Sequence, residues 1–533
     1  MRHVREPSRA LLAGHPRGVS CGTRHAGYPA SAMTSSGGGT HPDGSGASPQ
    51  ELVLRGGVWN AAATLSSLAL GFPITVVLVR VMSPSSYGAL SLGVAMAGIV
   101  GALAGLGLAP GVARLGSFAL SSEGTRGLGA VVAAGRRISI WAAVGALVVS
   151  AGVIAAVSFV PNARPAAPVF LILMPTVALI PWQGVSLGYR MALHQARRAE
   201  TSRMLAAVVL LVLSLALVLV GRRSAVELAA PRLIAAVVGL VAIAWGVGRA
   251  GRGGGKRYTR ELMLSSLPLV LSGVMWIVIA QLDVVVLGGV KGTAAAGLYA
   301  PVTRLVDWGI TFFGFAGAYL LPALTAAATV GDAGAERRLF HSISRWGIVI
   351  ASPFVGVIVA TPSEALQVLY GRGYGTLGDV ARILSIGMLV HVGFGFNAAS
   401  LQAHGYSGLV GRSAALGLLV DLAFCVALIP RFGVYGAAWA TTAALAAVNA
   451  SNSLYQLRRC RLRPWDRGLA STVAALMLGV AVAWMLAPAL PDGFVRCVLA
   501  AALAGGAGLG ASLAVSTPEE REWLSALFRR RTR

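Results

Sequence analysis

Charged residues are scarce in this chain. Asp, Glu, Lys and Arg make up 12% of its 533 residues, whereas a soluble domain carries about 25%. The gaps between its apolar runs are mostly too short to form a domain, and no glycine-rich phosphate-binding loop ending in Lys-Ser or Lys-Thr is present. These absences argue against a soluble protein and against an internal ATPase.

Cysteines are also few, and none has metal or redox spacing. The four are Cys21, Cys425, Cys460 and Cys497, which fit isolated small apolar residues. The chain lacks the clustered carboxylates, or the long outer loop with Arg and His, that a membrane-bound glycosyltransferase or polymerase needs. We therefore predict that the protein is not an enzyme and uses no metal or cofactor.

Long apolar segments dominate what remains. The chain is 56% hydrophobic with a mean hydropathy of +0.73, and a helix of ~20 apolar residues spans the hydrocarbon core of a bilayer. Barrel strands alternate apolar and polar residues, whereas these runs are continuously apolar. The sequence predicts an all-α polytopic membrane protein with about fourteen transmembrane helices. The predicted spans are 56–79, 88–112, 138–160, 168–188, 204–221, 227–247, 264–288, 296–321, 343–361, 380–403, 411–430, 434–454, 468–487 and 494–516.

The net charge of +25 is distributed unevenly. If the N-terminus is cytoplasmic, the inner loops hold 22 Lys and Arg, and the outer loops and helix edges hold 10. This is the positive-inside pattern, and it predicts that both termini are cytoplasmic. A nucleic-acid-binding protein concentrates its basic residues on one face, so the expected partner is the lipid bilayer and not a nucleic acid.

Composition divides the chain into segments. Residues 1–50 lack the apolar core of a signal peptide and are predicted to form a disordered cytoplasmic tail, in which Met33 is a second possible start. The Gly- and Arg-rich stretch 249–260 is a predicted cytoplasmic linker, with six helices before it and eight after. Residues 517–533 read as an amphipathic basic helix on the inner leaflet or as a solvated tail.

The two parts on either side of the linker share a weak internal similarity. VLVRVMSPSSYGALSLG joins the first two helices, and VVVLGGVKGTAAAGLYAPV joins the seventh and eighth. Each combines a long apolar helix, a short loop of small residues, and a Tyr close to a Gly. Such repeats are common in transporters, although chance similarity between apolar helices explains the same pattern.

Charges inside predicted membrane helices are functional candidates, because they are costly unless paired or hydrated. Asp283 lies in the outer half of the seventh helix. Arg304 and Asp307 are three residues apart in the eighth, so they can form an ion pair. We predict that the three form one polar cluster, which Arg80 at the outer end of the first helix can approach.

Two further polar residues lie near the middle of predicted spans. Asp421 has no nearby base in sequence, so it is either a proton carrier or a neutral carboxyl hydrogen-bonded to a backbone carbonyl. His391 is a candidate for coupling to an ion or a structural residue. The sequence leaves both pairs of alternatives open.

Several motifs in order resemble the polysaccharide-biosynthesis flippases of the multidrug/oligosaccharidyl-lipid/polysaccharide (MOP) exporter superfamily. The similarity covers residues 52 to about 515, although the family more often has Asn near position 421. The motifs are residues 79–90 (VRVMSPSSYGAL), the glycine-rich helix after them with Arg114, Gln281-Leu282-Asp283, Gly297-Leu298-Tyr299, Arg304-Leu305, and residues 429–441 (IPRFGVYGAAWAT).

This resemblance implies two six-helix bundles, 51–248 and 261–457, around a central cavity, with helices 13 and 14 in 458–516. It implies that the protein flips a polyprenyl-pyrophosphate-linked oligosaccharide to the outer leaflet of the bacterial cytoplasmic membrane by alternating access. The product would serve cell-surface polysaccharides such as lipopolysaccharide or exopolysaccharide, with a polymerase and glycosyltransferases as partners.

The same resemblance suggests residues for the substrate path. Arg80 and Arg304 are expected to contact the pyrophosphate, because basic residues suit an anionic head, and Gln281 and Tyr299 are expected nearby. Two alternatives from the same superfamily stay open: a peptidoglycan-precursor flippase and a cation-coupled multidrug antiporter, which would have an acidic, aromatic cavity. The sequence identifies neither the sugar nor the energy source.

Overall fold

The computed structural model describes residue 66 and residues 69–247, 255–317, 320–490 and 493–516. The predicted tails 1–50 and 517–533 and residues 249–254 of the predicted linker lie outside them. The described residues are 90% helical and include no strand, so the predicted all-α membrane fold is confirmed.

Seventeen helices are named here in chain order. They are α1 (Ala69–Val81), α2 (Pro84–Ala104), α3 (Leu108–Ser158), α4 (Ala167–Ala192), α5 (Ala196–Leu219), α6 (Ala230–Ala244), α7 (Gly255–Lys291), α8 (Thr293–Gly317), α9 (Leu320–Val330), α10 (Ala333–Ala360), α11 (Pro362–Tyr370), α12 (Gly378–Gly393), α13 (Asn397–Ala403), α14 (Ser407–Phe432), α15 (Val434–Tyr455), α16 (Arg467–Leu486) and α17 (Gly493–Val515).

Ten segments of the described chain are long and apolar enough to cross a membrane. Every predicted span from 88 onward coincides with helical structure, whereas the first, 56–79, lies partly outside the described residues. The number fourteen stays a prediction. The short helices α9 and α11 were not predicted, because neither is long enough to give a bilayer-length apolar run.

Two predicted spans are interrupted. The span 88–112 breaks between α2 and α3, where Leu106 and Gly107 have φ values of 44° and 58°. The span 380–403 breaks between α12 and α13, where Gly395 has a φ of 68°. Left-handed backbone ends a helix and is easiest for glycine, so these breaks follow from glycines that hydropathy alone does not register.

The helices are grouped here by the predicted two-bundle division, which stays a prediction. The first half denotes α1 to α6 and the second α8 to α15, and α7 packs against α2 and α3 of the first and against α14 and α15 of the second. Helices α16 and α17 pack on α10. We call the end at which α2 and α8 begin the outer end and the opposite one the inner end. These names follow the predicted topology, which stays a prediction.

The apolar core differs between the two ends. Toward the outer end one buried cluster includes residues of both halves, such as Leu92 of α2 and Val302 of α8. At the inner end Val112 and Leu262 belong to a cluster of α3, α4 and α7, and Phe340 of α10 belongs to a separate one. Within the described residues, Leu92 and Val302 thus belong to one apolar cluster that joins the halves.

Candidate functional site

The outer end is closed by a close crossing of α2 and α8. A Cβ atom added to Gly88 would lie 1.7 Å from the carbonyl oxygen of Thr293, and one added to Gly297 would lie 1.8 Å from that of Pro84. Gly88 lies four residues after Pro84, and Gly297 lies four residues after Thr293. Because each carbonyl faces the glycine of the other helix, the crossing is locally two-fold. The contact joins equivalent places in the two similar stretches of sequence, and only glycine permits it.

Side chains add further contacts around this crossing. The Arg80 guanidinium donates hydrogen bonds to the carbonyl oxygens of Val368 and Leu369, at the end of α11. The Ser85 and Thr293 hydroxyls are 3.0 Å apart. Cations stabilise the C-terminal end of a helix, so Arg80 joins the halves across the outer end. In this structure the Arg80 guanidinium forms its hydrogen bonds at the outer end.

A small polar pocket lies beneath the crossing, between the two halves. Its volume is about 90 Å³. Arg232 enters it from α6, Gln281 from α7 and Arg304 from α8, and no carboxylate lines it. The lining residues are Thr75, Tyr87, Leu90, Ser91, Val94, Arg232, Ala280, Gln281, Val284, Ala300, Thr303 and Arg304.

The two arginines differ in their partners. The Nη1 atom of Arg232 donates a 3.0 Å hydrogen bond to the Leu228 carbonyl oxygen, one turn earlier on its own helix. The Nη1 atom of Arg304 lies 3.8 Å from Oδ2 of Asp307, so the predicted ion pair forms. This distance exceeds the 2.7–2.9 Å of a close charge-assisted hydrogen bond. The pocket therefore combines two guanidinium groups with one loosely paired carboxylate beside it.

A larger, mostly apolar cavity of about 660 Å³ lies toward the inner end. Three helices, α2, α6 and α7, line both this cavity and the polar pocket. On α7, Gly273 and Ile277 line this cavity and Gln281 lines the polar pocket one turn later. On α6, Arg232 lines the polar pocket and Ala235 the apolar cavity. The polar and apolar spaces thus follow one another along shared helix faces.

Asp283 is held by hydrogen bonds from three directions. Its carboxylate is buried and accepts hydrogen bonds from the Tyr299 hydroxyl of α8 at 2.7 Å, the Thr441 hydroxyl of α15 at 2.8 Å and the Val284 amide of its own helix at 2.7 Å. Asp283 is close enough to Arg304 and Asp307 for their charges to interact, and a single polar cluster of the three stays a prediction. Tyr299 is fully buried, and in this structure its hydroxyl donates a hydrogen bond to Asp283.

Asp421 and His391 occupy two more buried positions. Asp421 is 0% exposed, and one of its oxygens lies 3.8 Å from the Cys425 sulfur while the other has no protein partner. The backbone carbonyl partner considered from the sequence is absent from its hydrogen bonds. The His391 Nδ1 atom lies 3.1 Å from the Asn449 side-chain nitrogen, between the rings of Trp276 and Phe313.

The predicted site residues differ in their surroundings. Gln281 and Arg304 line the pocket with Asp307 beside them, and Arg80 lies at the outer end. Asp283 and Tyr299 are hydrogen-bonded to each other, and Asp421 is close enough to both for their charges to interact. His391 lies against Trp276 and Phe313. The sequence analysis missed Arg232 as a pocket residue. In the described part of the chain, no three His, Cys, Asp or Glu side chains are grouped to hold a metal ion.

Comparisons with known proteins agree with this architecture. Residues 53–327, more than half of the chain, match the model of the family described as "Polysaccharide biosynthesis protein". The chain is 26% identical over 212 residues to the membrane protein YabM of Bacillus subtilis and 23% identical over 192 residues to the membrane protein MJ1068 of Methanocaldococcus jannaschii. It spans 39% and 37% of the lengths of these curated relatives.

Two kinds of solved transporter share the fold. The inward closed structure of the lipid II flippase MurJ aligns with a TM-score of 0.64 and 13% identity, over 88% of this chain and 99% of that one. An inward-facing multidrug resistance MATE transporter of the MOP superfamily aligns with a TM-score of 0.62 and 16% identity, over 75% and 98%. With its fold shared by these transporters and its family model matched over residues 53–327, the chain belongs to the polysaccharide biosynthesis protein family.

Proposed function

We propose that this protein moves a polyprenyl-pyrophosphate-linked oligosaccharide from the inner to the outer leaflet of the bacterial cytoplasmic membrane, for cell-surface polysaccharide biosynthesis. One observation carries the proposal. Arg232 and Arg304 come from opposite halves into one pocket that no carboxylate lines. Such a pocket suits an anionic head group of an otherwise neutral or apolar molecule.

The chemistry of the two arginines favours phosphate. A guanidinium offers paired N–H donors that match two oxygens of a phosphate group, and it stays charged in a low-dielectric site. Arg304 is held loosely by Asp307 at 3.8 Å, so an approaching phosphate can compete for it. A cavity for cationic drugs would need acidic lining instead, and Asp283 and Asp421 are both buried outside this pocket.

The size of the pocket implies that substrate enters when the halves separate. Its volume of about 90 Å³ is well below the roughly 300–1,000 Å³ of ordinary ligand pockets, too small for a pyrophosphate that carries sugars. The larger cavity shares α2, α6 and α7 with the pocket. We propose that the head group enters from the inner side and reaches the two arginines while the polyprenyl chain stays in lipid.

Release on the opposite side requires the outer end to open. In the described residues the halves meet at Gly88 and Gly297, with Arg80 beside them, so parting of α2 and α8 would expose the pocket to the outer side. This is alternating access with an outer end that is closed in the present conformation. Both termini would be cytoplasmic, and the substrate would come from glycosyltransferases and pass to a polymerase.

The proposal is tested by measuring lipid-linked oligosaccharide in a strain that lacks the gene, resolved by leaflet. We expect the oligosaccharide to accumulate on the inner leaflet and the wild-type gene to relieve it, with the sugar identified by mass. Accumulation of peptidoglycan precursor would identify the protein as a flippase of that lipid. Unchanged lipids with altered drug susceptibility would favour a multidrug antiporter and refute the proposal.

A further inference from the structure

A histidine and a glutamate form a buried pair at the inner end of the second half. Glu336 lies in the first turns of α10 and is 6% exposed. Its Oε2 atom lies 3.4 Å from Nε2 of His404, which follows α13 directly. The Nδ1 atom of His404 lies 3.0 Å from the carbonyl oxygen of Ser400. Both ring nitrogens of His404 therefore face oxygen atoms.

A neutral histidine beside an ionised glutamate has one proton on these groups, and this geometry requires two. A carbonyl oxygen only accepts hydrogen bonds, so Nδ1 carries hydrogen. An ionised carboxylate also only accepts, so Nε2 or the Glu336 carboxyl must carry a second one, since otherwise two lone pairs would face each other. The pair shares this proton.

The charged and titratable neighbours of the pair are few. Helix α9, which packs on α10 and α13, has none in its described sequence. The segment Gln456–Cys460 contributes Cys460, close enough to Glu336 for their charges to interact. On α10 itself, His341 faces away, with Nε2 3.0 Å from the Arg463 carbonyl oxygen and Nδ1 3.7 Å from Asp466. The exposed arginines nearby are Arg337, Arg338, Arg458 and Arg459.

Buried polar atoms without a protein partner are concentrated beside this pair. Among the described side chains, four such atoms belong to Glu336, Asn452 and Gln456. Gln456 is 0% and Asn452 3% exposed, and they lie one helical turn apart. Buried polar groups in proteins are satisfied by water when no protein group reaches them. The four atoms are Glu336 Oε1, Asn452 Oδ1, Gln456 Nε2 and Gln456 Oε1.

The same helices continue this polar line toward the middle of the bundle. The Asn397 amide donates to the Ser453 hydroxyl at 3.1 Å and to the Asn449 side-chain oxygen at 3.3 Å. The Asn449 amide in turn lies 3.1 Å from His391 Nδ1. From Asn449 to Gln456 the helix rises by roughly 10 Å. We define the buried amide line as Asn397, Asn449, Asn452, Ser453 and Gln456.

We propose that Glu336 and His404 form a proton-binding site at the inner end, and that the buried amide line, with bound water, connects this site to His391. His391 lies against Trp276 of α7 and Phe313 of α8, the two helices that also carry Gln281 and Arg304. A proton arriving there would act on the helices that line the polar pocket. The inference rests on the proposed function only in treating the protein as a transporter.

The proton-binding site can be tested without substrate. Protein with ¹⁵N-labelled histidine is placed in lipid nanodiscs, and the His404 signals are assigned by their loss in His404→Asn. At pH 7 we expect either two protonated ring nitrogens on His404 or an infrared band of a protonated carboxyl that vanishes in Glu336→Gln. In Glu336→Gln, His404 should carry a single ring proton at pH 7 and the carboxyl band should be absent, while Glu200→Gln, at a buried glutamate of α5, should change neither signal.

Three results would overturn the site. The first is a neutral His404 beside an ionised Glu336 in the wild type at pH 7. The second is a His404 that carries two ring protons at pH 7 in Glu336→Gln with the His341 signals intact, which show that this end is folded. The third is displacement of the proton at constant pH when sodium replaces choline, because the pair would then be a cation site.

The connection to His391 needs a measurement of its own. Magnetisation transfer from water to the His391 ring should be observed in the wild type and should be lost in Gln456→Leu, which places an apolar side chain in the line. Gln402→Leu, at an exposed position of α13, is the matched control and should keep the transfer. Undiminished transfer in Gln456→Leu would refute the connection.

Discussion

Replacing Gly88 by alanine should open the outer end. The added Cβ would lie 1.7 Å from the Thr293 carbonyl oxygen, whereas real Cβ contacts are essentially never shorter than 3.0 Å. Since the obstacle is backbone, α2 and α8 must move apart by at least about 1.3 Å, the difference between these two distances. Overpacking of a tight contact costs about 1–3 kcal/mol, which corresponds to a roughly 5- to 150-fold change in the ratio of two conformations.

The change in conformation can be measured as a distance across the outer end. Spin labels at Arg164 in the first half and Thr376 in the second, both exposed, report the separation by double electron–electron resonance after the native cysteines are replaced by serine. We expect Gly88→Ala to raise the population of a longer distance. Gly297→Ala should do the same, and the double variant should add little, because both changes break one contact.

The matched control is Gly289→Ala, near the outer end of α7, where an added Cβ meets nothing within 4 Å. It should keep the wild-type distance distribution. If Gly88→Ala also keeps it, the α2–α8 crossing does not hold the outer end closed. A lower thermal stability without any new distance would mean that the contact persists in every conformation of the transporter.

Further predictions follow from the contacts of single side chains. Arg304→Ala and Arg232→Ala should each slow transport at least ~10-fold in proteoliposomes without unfolding the protein, since a hydrogen bond to a charged group contributes about 1.5–3 kcal/mol. Tyr299→Phe should lower the unfolding free energy by ~1 kcal/mol, by loss of its bond to Asp283, and leave the transport rate unchanged. Arg80→Ala should lengthen the spin-label distance in a smaller population than Gly88→Ala does, because exposed contacts at a helix end contribute only about 0.3–1 kcal/mol.

The helical architecture was predictable because apolar length determines it. In a continuous run of about twenty apolar residues within a bilayer, the backbone must form its hydrogen bonds within the segment, and a helix does this. The breaks after Ala104 and Gly393 were not predictable from hydropathy, since each depends on a left-handed backbone within an apolar stretch. The similarity between the two halves was visible in the sequence, but its meaning became clear only from the contact between Gly88 and Gly297.

The site was predictable only in part. Arg304 and Asp307 were recognised as a pair because helix periodicity places residues three apart on one face. Arg232 was counted as a helix-edge residue, yet it lies five residues inside its predicted span, the same depth that singled out Asp283. Applying the same depth criterion to Arg232 as to Asp283 would have identified Arg232 as a candidate. The bond between Asp283 and Thr441 joins α7 to α15, and no local pattern reports a contact between such distant segments.

The most direct test of the central account is flipping by the purified protein. Proteoliposomes would carry a polyprenyl-pyrophosphate-linked oligosaccharide in one leaflet, and a glycosidase added outside would report its arrival in the other. The account predicts rapid exposure with the wild type and exposure at least ~10-fold slower with Arg304→Ala. Wild-type exposure no faster than in protein-free vesicles would contradict it.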